Sequence, residues 1–153
     1  MEKTNNNIPT AEELAICIKE SAISVNSTYE QSPVVLMVDD AVIGTLGNFS
    51  ASIGKAKSKK TFNVSAIAAS ALVNGTVLHY RASFPKSKQQ ILYIDTEQGQ
   101  NHCQNVLKRI QLLADLPDDK DVDNLTMLTL RKYSPEMRLA IVEQAIETIP
   151  NLG

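Results

Sequence analysis

Hydrophobic positions along the chain fall into runs whose period changes from one segment to the next. AEELAICIKESAISV (11–25) places Leu14, Ile16, Ile18 and Ile23 around Ala15 and Ala22, a moderately periodic pattern that predicts an N-terminal helix. PVVLMV (33–38) reads as a strand, Asp39-Asp40 as a tight turn, and AVIGTLGNFSASI (41–53) as one or two further strands. TFNVSAIAASALVNG (61–75) is alanine-rich, uncharged and ends at Asn74-Gly75. A largely buried helix closed by a glycine C-cap is expected there.

Farther on, a basic loop RASFPKSKQQ (81–90) leads into ILYID (91–95), a short apolar run of the kind found in a strand buried on both faces. Val106, Leu107, Ile110 and Leu113 then share one helical face, and LTMLTL (125–130) reads as another strand. Ser134-Pro135-Glu136 has the form of a helix start: a hydroxyl cap, a proline at the first turn and an acid at the positive dipole end. Leu139, Val142, Ile146 and Ile149 continue that helix. After the first hairpin the order is strand–loop–helix, strand–helix, strand–helix. Such alternation predicts an α/β fold with a mostly parallel sheet covered on both faces. An arm over 1–32 precedes a core over 33–153. ETIPNLG turns where another strand is due, so an incomplete, truncated domain is expected.

At 153 residues, a single domain can bury roughly 70% of its unfolded surface. No apolar run approaches the roughly 20 residues that span a bilayer, so no membrane partner is expected. The polar opening MEKTNNNIPTAEE lacks the form of a secretory signal. Cys17 and Cys103 show neither metal-ligand spacing nor a disulfide framework, which makes a reduced cytoplasm the simplest location.

A net charge of −2 argues against global attraction to nucleic acid, but the charges are unevenly placed. Ala41 to Leu78 holds no Asp or Glu, whereas Lys55, Lys57, Lys59 and Lys60 cluster. The acids gather in DLPDDKDVD (115–123). A basic focus in a near-neutral chain suits a small anionic ligand as well as a polymer.

That focus is GKAKSKKT (54–61), which nearly spells the phosphate-cradling loop G-x-x-x-x-G-K-[ST]. In an open parallel sheet such a loop lies where strands end and helices begin. It is expected to leave a strand at Ile53 and enter a helix near Lys60, with backbone N–H groups and the helix dipole favouring an anion. Gly54 would permit the turn, Lys60 would reach the β- and γ-phosphates, and the Thr61 hydroxyl would hold Mg²⁺. Gly54, Lys55, Ala56, Lys57, Ser58, Lys59, Lys60, Thr61 and Phe62 are therefore the candidate nucleotide contacts. A solvated lysine turn is the alternative.

Lys59 stands where the second glycine belongs. If that position needs positive φ, a side chain there costs about 1–2 kcal/mol. Lysine could offset this through a charge-assisted contact to phosphate, or the loop could take another shape. A second constellation, LYIDTEQG, puts Asp95 and Glu97 at the end of a strand. A carboxylate there can orient or deprotonate the water attacking a γ-phosphate. Alternatively, Asp95 caps the following helix.

Taken together, GNFSASIGKAKSKKTF and ILYIDTEQG resemble the ATP-binding core of RecA-superfamily proteins, particularly RepA-like hexameric helicases and related ATPases of mobile elements. The resemblance covers roughly 34–150. It implies a three-layer P-loop fold, ATP and Mg²⁺ as ligands, a ring-shaped homo-oligomer, and DNA replication or mobilisation as the setting. It makes Lys60 and Thr61 the Walker A lysine and hydroxyl and Glu97 the catalytic glutamate, with Thr61 and Asp95 as candidate metal ligands. The chain departs from the family at Lys59 and in lacking a Walker B strand, which would follow the last helix. Three readings stay open: a P-loop ATPase, a phosphate-binding regulator without turnover, and an interaction domain whose loop binds nothing specific. His79 and His102, without paired carboxylates or cysteines nearby in sequence, are expected to be surface or packing residues. RASFPKSK (81–88) is either a solvated loop or a contact to single-stranded DNA.

Overall fold

A computed structural model describes residues 9–55 and 59–153 of the chain. The chain divides into two units between Gln31 and Ser32. In the first, helix α1 (Ala11–Ser21) is fixed at its start by a capping box. The Thr10 hydroxyl accepts from the Glu13 amide at 3.2 Å and the Glu13 carboxylate accepts from the Thr10 amide at 2.7 Å. The Thr10 amide and, at 3.1 Å, the Thr10 hydroxyl both donate to the Glu13 carboxylate and hold it below its usual range.

The second unit is built around α2 (Lys60–Val73). Its buried stretch is mostly alanine and serine and carries no charge, so other backbones can approach it closely. Ser65, Ala66, Ala68, Ala69, Ser70, Ala71 and Leu72 are all buried. The two buried hydroxyls return to the helix's own carbonyls, Ser65 Oγ to Thr61 O at 2.7 Å and Ser70 Oγ to Ile67 O at 2.8 Å. Neither brings an unsatisfied polar atom into the core.

Strands β1 (Val34–Val38) and β2 (Ala41–Thr45) form a hairpin at Asp39-Asp40. After α2 come two short strands, β3 (Thr76–Val77) and β4 (Tyr80–Ala82). They complete a four-stranded sheet in the order β2-β1-β4-β3, antiparallel throughout. Strands β5 (Ile91–Asp95) and β6 (Leu125–Thr129) form a separate two-stranded parallel sheet, joined through α3 (Gln100–Leu113). Helix α2 touches β3 and β4 of the first sheet and β5 and α3 beside the second. The core is where these meet: Ala68, Ala69, Leu72, Val77, Val106, Ile110, Ala114 and Leu125, with Ile91 and Tyr93 packed against them.

The fold is mixed α/β, yet most of its described strands are antiparallel, contrary to the mostly parallel sheet expected. Short turns at Asp39-Asp40 and Leu78-His79 can join only antiparallel neighbours. The segment Leu46–Ile53, expected to continue as a strand, has no regular structure, and Phe49 and Ile53 are 94% and 92% exposed. Nor does glycine close α2. Asn74 takes the left-handed position (φ 46°), its amide side chain exchanging hydrogen bonds with Phe84 (3.0 and 2.6 Å), and Gly75 N donates to Ser70 O at 3.0 Å. The side chain that tolerates this conformation also anchors the next loop.

Helix α4 (Pro135–Thr148) starts at Ser134, whose hydroxyl accepts from Met137 N at 3.3 Å. The chain then comes back to β5. Gln90 N donates to Asn151 O (3.0 Å) and Gly153 N donates to Gln90 O (2.9 Å), a parallel bridge. Ile91 N donates instead to Asn124 O (3.0 Å). Neighbouring residues in a strand address opposite edges, so Asn151–Gly153 lies along the edge of β5 away from β6. No described helix is long and apolar enough to cross a membrane.

Close packing around α2 has a direct test. Ala69 is fully buried, and Ala69→Leu is expected to lower stability by about 1–3 kcal/mol through overpacking. The midpoint of urea unfolding measures this. An unchanged midpoint would mean that α2 has room around it.

Candidate functional site

The lysine-rich loop reaches α2 at Lys59, which has φ 60° and ψ 22°. This is the left-handed conformation on which the substitution of glycine turned. The residue before a helix is usually extended and often caps the first turn with its side chain. Lys59 does neither, although its carbonyl accepts from Phe62 N (3.0 Å) and Asn63 N (3.1 Å). A left-handed residue followed by a helical one turns successive N–H groups toward a common point, the form of an anion-binding nest. Among the described residues, the amides of Lys60 and Thr61 have no acceptor.

Lys60 folds back over the loop, its Nζ donating to Gly54 O at 2.6 Å. The ammonium thereby links the loop's two described ends. Ala56, Lys57 and Ser58, expected among the nucleotide contacts, lie outside the described residues. Gly54 and Lys55 are exposed, and the strand expected to deliver them at Ile53 is absent from the described structure.

Asp95 closes β5. Its Oδ1 accepts from Glu97 N (2.8 Å) and Gln98 N (2.7 Å), so the carboxylate holds the turn that leads to α3. The helix itself begins at Gln100 behind Gly99. Glu97 is exposed. Two residues before Asp95, burial pushes the Tyr93 phenol up from its ordinary pKa, and the Asp95 charge adds to this; Arg109 works against both.

A cleft of about 520 Å³ opens beside the start of α2, lined by Lys59, Thr61, Phe62, His102 and Arg109. It brings three of the expected nucleotide contacts together with two α3 residues that sequence reading did not assign to a site. Asp95 and Glu97 do not line it. His102 and Arg109 lie about two helical turns apart and so on one face of α3, a spacing that was available in the sequence. What the sequence lacked was the approach of α3 to α2. His79, read as having no paired carboxylate, meets one: its Nδ1 is 2.9 Å from Asp39 Oδ1 across two turns, both side chains exposed. The sheet brings together residues far apart in sequence. Among the described residues, no group of three or more His, Cys, Asp or Glu is arranged to hold a metal ion.

No family model, curated protein or solved structure matches this chain.

The conformation of Lys59 is open to test by substitution. Lys59→Val is expected to destabilise by about 1–2 kcal/mol, because a β-branched residue is poorly suited to positive φ. Lys59→Gly should be neutral or stabilising, removing the strain while adding freedom to the unfolded chain. Thermal and urea unfolding of the pair report the difference. Equal stabilities would show that this position does not need positive φ.

Proposed function

We propose that this chain binds Mg²⁺-ATP on the loop Gly54–Thr61 and belongs functionally with P-loop ATPases of the RecA/RepA-like type. The observation that carries the reading is the junction at Lys59 and Lys60. A left-handed residue precedes two amides that have no acceptor among the described residues, and an ammonium lies across the loop on the Gly54 carbonyl. Phosphate oxygens are stronger partners for that ammonium than a neutral carbonyl. On binding, Lys60 would exchange Gly54 for the β- and γ-phosphates while the amides of Lys60 and Thr61 donate to the same anion.

Magnesium commonly keeps several waters and takes only one or two protein ligands beside phosphate oxygens. The Thr61 hydroxyl suits that donor set. Asp95, with Oδ1 occupied by two amides, could serve only through its other oxygen or an intervening water. When bound, the ion would neutralise charge on the phosphate oxygens. Glu97 is the candidate to orient the attacking water, its exposed side chain standing just beyond β5. The three-layer RecA-like architecture, the homo-oligomeric ring and DNA as a polymer partner rest on the sequence resemblance and are part of this proposal.

One observation favours a second reading, in which the chain holds a nucleotide or other phosphate without hydrolysing it. The cleft at Lys59 is lined by cations and a hydroxyl but not by Asp95 or Glu97, and positioning supplies most of phosphoryl-transfer catalysis.

Titration with ATP separates these readings. Mg²⁺-dependent binding is expected, weakened about ten- to a hundredfold or more in Lys60→Ala through loss of a charge-assisted contact. Steady-state hydrolysis abolished by Glu97→Gln supports the ATPase; binding without turnover supports the regulator. A chain that binds no nucleotide removes both. DNA affinity that falls steeply with salt would establish the polymer partner.

A further inference from the structure

The outer edge of β6 carries an unused ladder. Ile91 N donates to Asn124 O and Leu130 N donates to Asp95 O, so Asn124, Thr126, Leu128 and Leu130 address β5. Alternate residues of a parallel pair turn their backbone groups to opposite edges, and Leu125, Met127 and Thr129 therefore address the far side. Among the described residues no strand pairs there, and only Leu125 N has a partner, Val122 O at 3.4 Å. The strand, LTMLT, holds no charged residue, proline or bulge, the devices that commonly keep an exposed edge from pairing. Met127 and Thr129 also line an open cleft of about 470 Å³ with Leu107 and Gln104 of α3.

What suits this edge is another copy of itself. The charges flanking β6 are of opposite sign, Asp121 and Asp123 before it and Arg131 and Lys132 after it. Asp123 and Arg131 are equidistant from Met127 along the chain. Both are exposed and, among the described residues, neither forms an ion pair. Two copies of β6 related by a two-fold axis at Met127 run antiparallel. Met127 then faces its own equivalent, Leu125 faces Thr129 of the second copy, and Asp123 faces Arg131 of the second copy. In this register the three outward-facing residues fall in the pairs that exchange backbone bonds, and opposite charges meet at both ends of the ribbon. A parallel arrangement in register would set like charges opposite one another instead. We propose that β6 pairs antiparallel with β6 of a second copy, joining the two β5–β6 sheets into one continuous sheet. Such a contact is isologous and closes at two chains, unlike the head-to-tail contacts of a ring, and it stands apart from the nucleotide reading.

Sedimentation equilibrium of the full chain without nucleotide, over a concentration series, measures the association. The wild type should reach a dimer. Asp123→Arg and Arg131→Asp, with far-UV circular dichroism unchanged, should each weaken that dimer about tenfold by setting like charges together at both ends. The variant carrying both changes should return to within about threefold of wild-type affinity. Hydrogen exchange read from ¹H–¹⁵N spectra adds a signature of the edge itself. The amides of Met127 and Thr129 should gain protection as wild-type concentration rises, while those of Thr126 and Leu128, already turned to β5, stay unchanged. A wild type that remains monomeric at the concentrations used for the spectra overturns the proposal, as does protection at Met127 and Thr129 that ignores concentration. A dimer that both single variants leave intact, or that the charge swap fails to restore, overturns it too, since the contact would then lie elsewhere.

Discussion

The larger unit depends on burying one helix that carries no charge after its first residue, Lys60. α2 lies against the antiparallel strands β3 and β4 and also against β5 and α3. Only small side chains allow so many neighbours to come this near. Ala66 and Ala69 are fully buried, and Ser65 and Ser70 bury their hydroxyls by bonding them back to the helix. Its far end is fixed twice, by Asn74 on Phe84 and by Asn124 Nδ2, which donates to Leu72 O at 3.1 Å. The body and C-terminus of α2 are thus packed and bonded, and its exposed first turn carries the left-handed Lys59 and two amides that, among the described residues, have no acceptor, beside the cleft toward α3.

This arrangement explains how a lysine can occupy a glycine's place. The strain of positive φ amounts to about 1–2 kcal/mol, small beside the burial of seven residues farther along the same helix. Lysine also adds a charge to a cleft already containing Arg109 and His102. In the proposed site, strain and function would fall at one residue, as is common where a backbone is held for a ligand. By contrast, the Asp95 carboxylate is largely committed to its own turn. The phosphate-binding half of the proposed site therefore rests on firmer local geometry than the hydrolytic half.

Much of this was legible from periodicity. The Asp39-Asp40 hairpin, the buried character of α2, the short strands at 91–95 and 125–129, and the Ser134-Pro135 helix start each have a strong local signal. Other features had none. β3 and β4 are two and three residues long, too short for alternation to register, and their pairing with β1 depends on contacts between distant parts of the sequence. Phe49, Ala51 and Ile53 alternate like a strand, but a pattern supplies only one side of a pairing, and these residues have no ladder partner. His102 and Arg109 share a helical face, yet their significance comes from the approach of α3 to α2. The Asp39–His79 contact likewise exists only because β1 pairs with β4.

The central claim concerns the amides at the head of α2, and backbone ¹H–¹⁵N spectra recorded during titration with Mg²⁺-ATP address it directly. Lys59, Lys60, Thr61 and Phe62 are expected to show the largest shifts and to gain protection from hydrogen exchange, with the middle of α2 little changed. Binding that moves resonances elsewhere and leaves those four unaffected would contradict it.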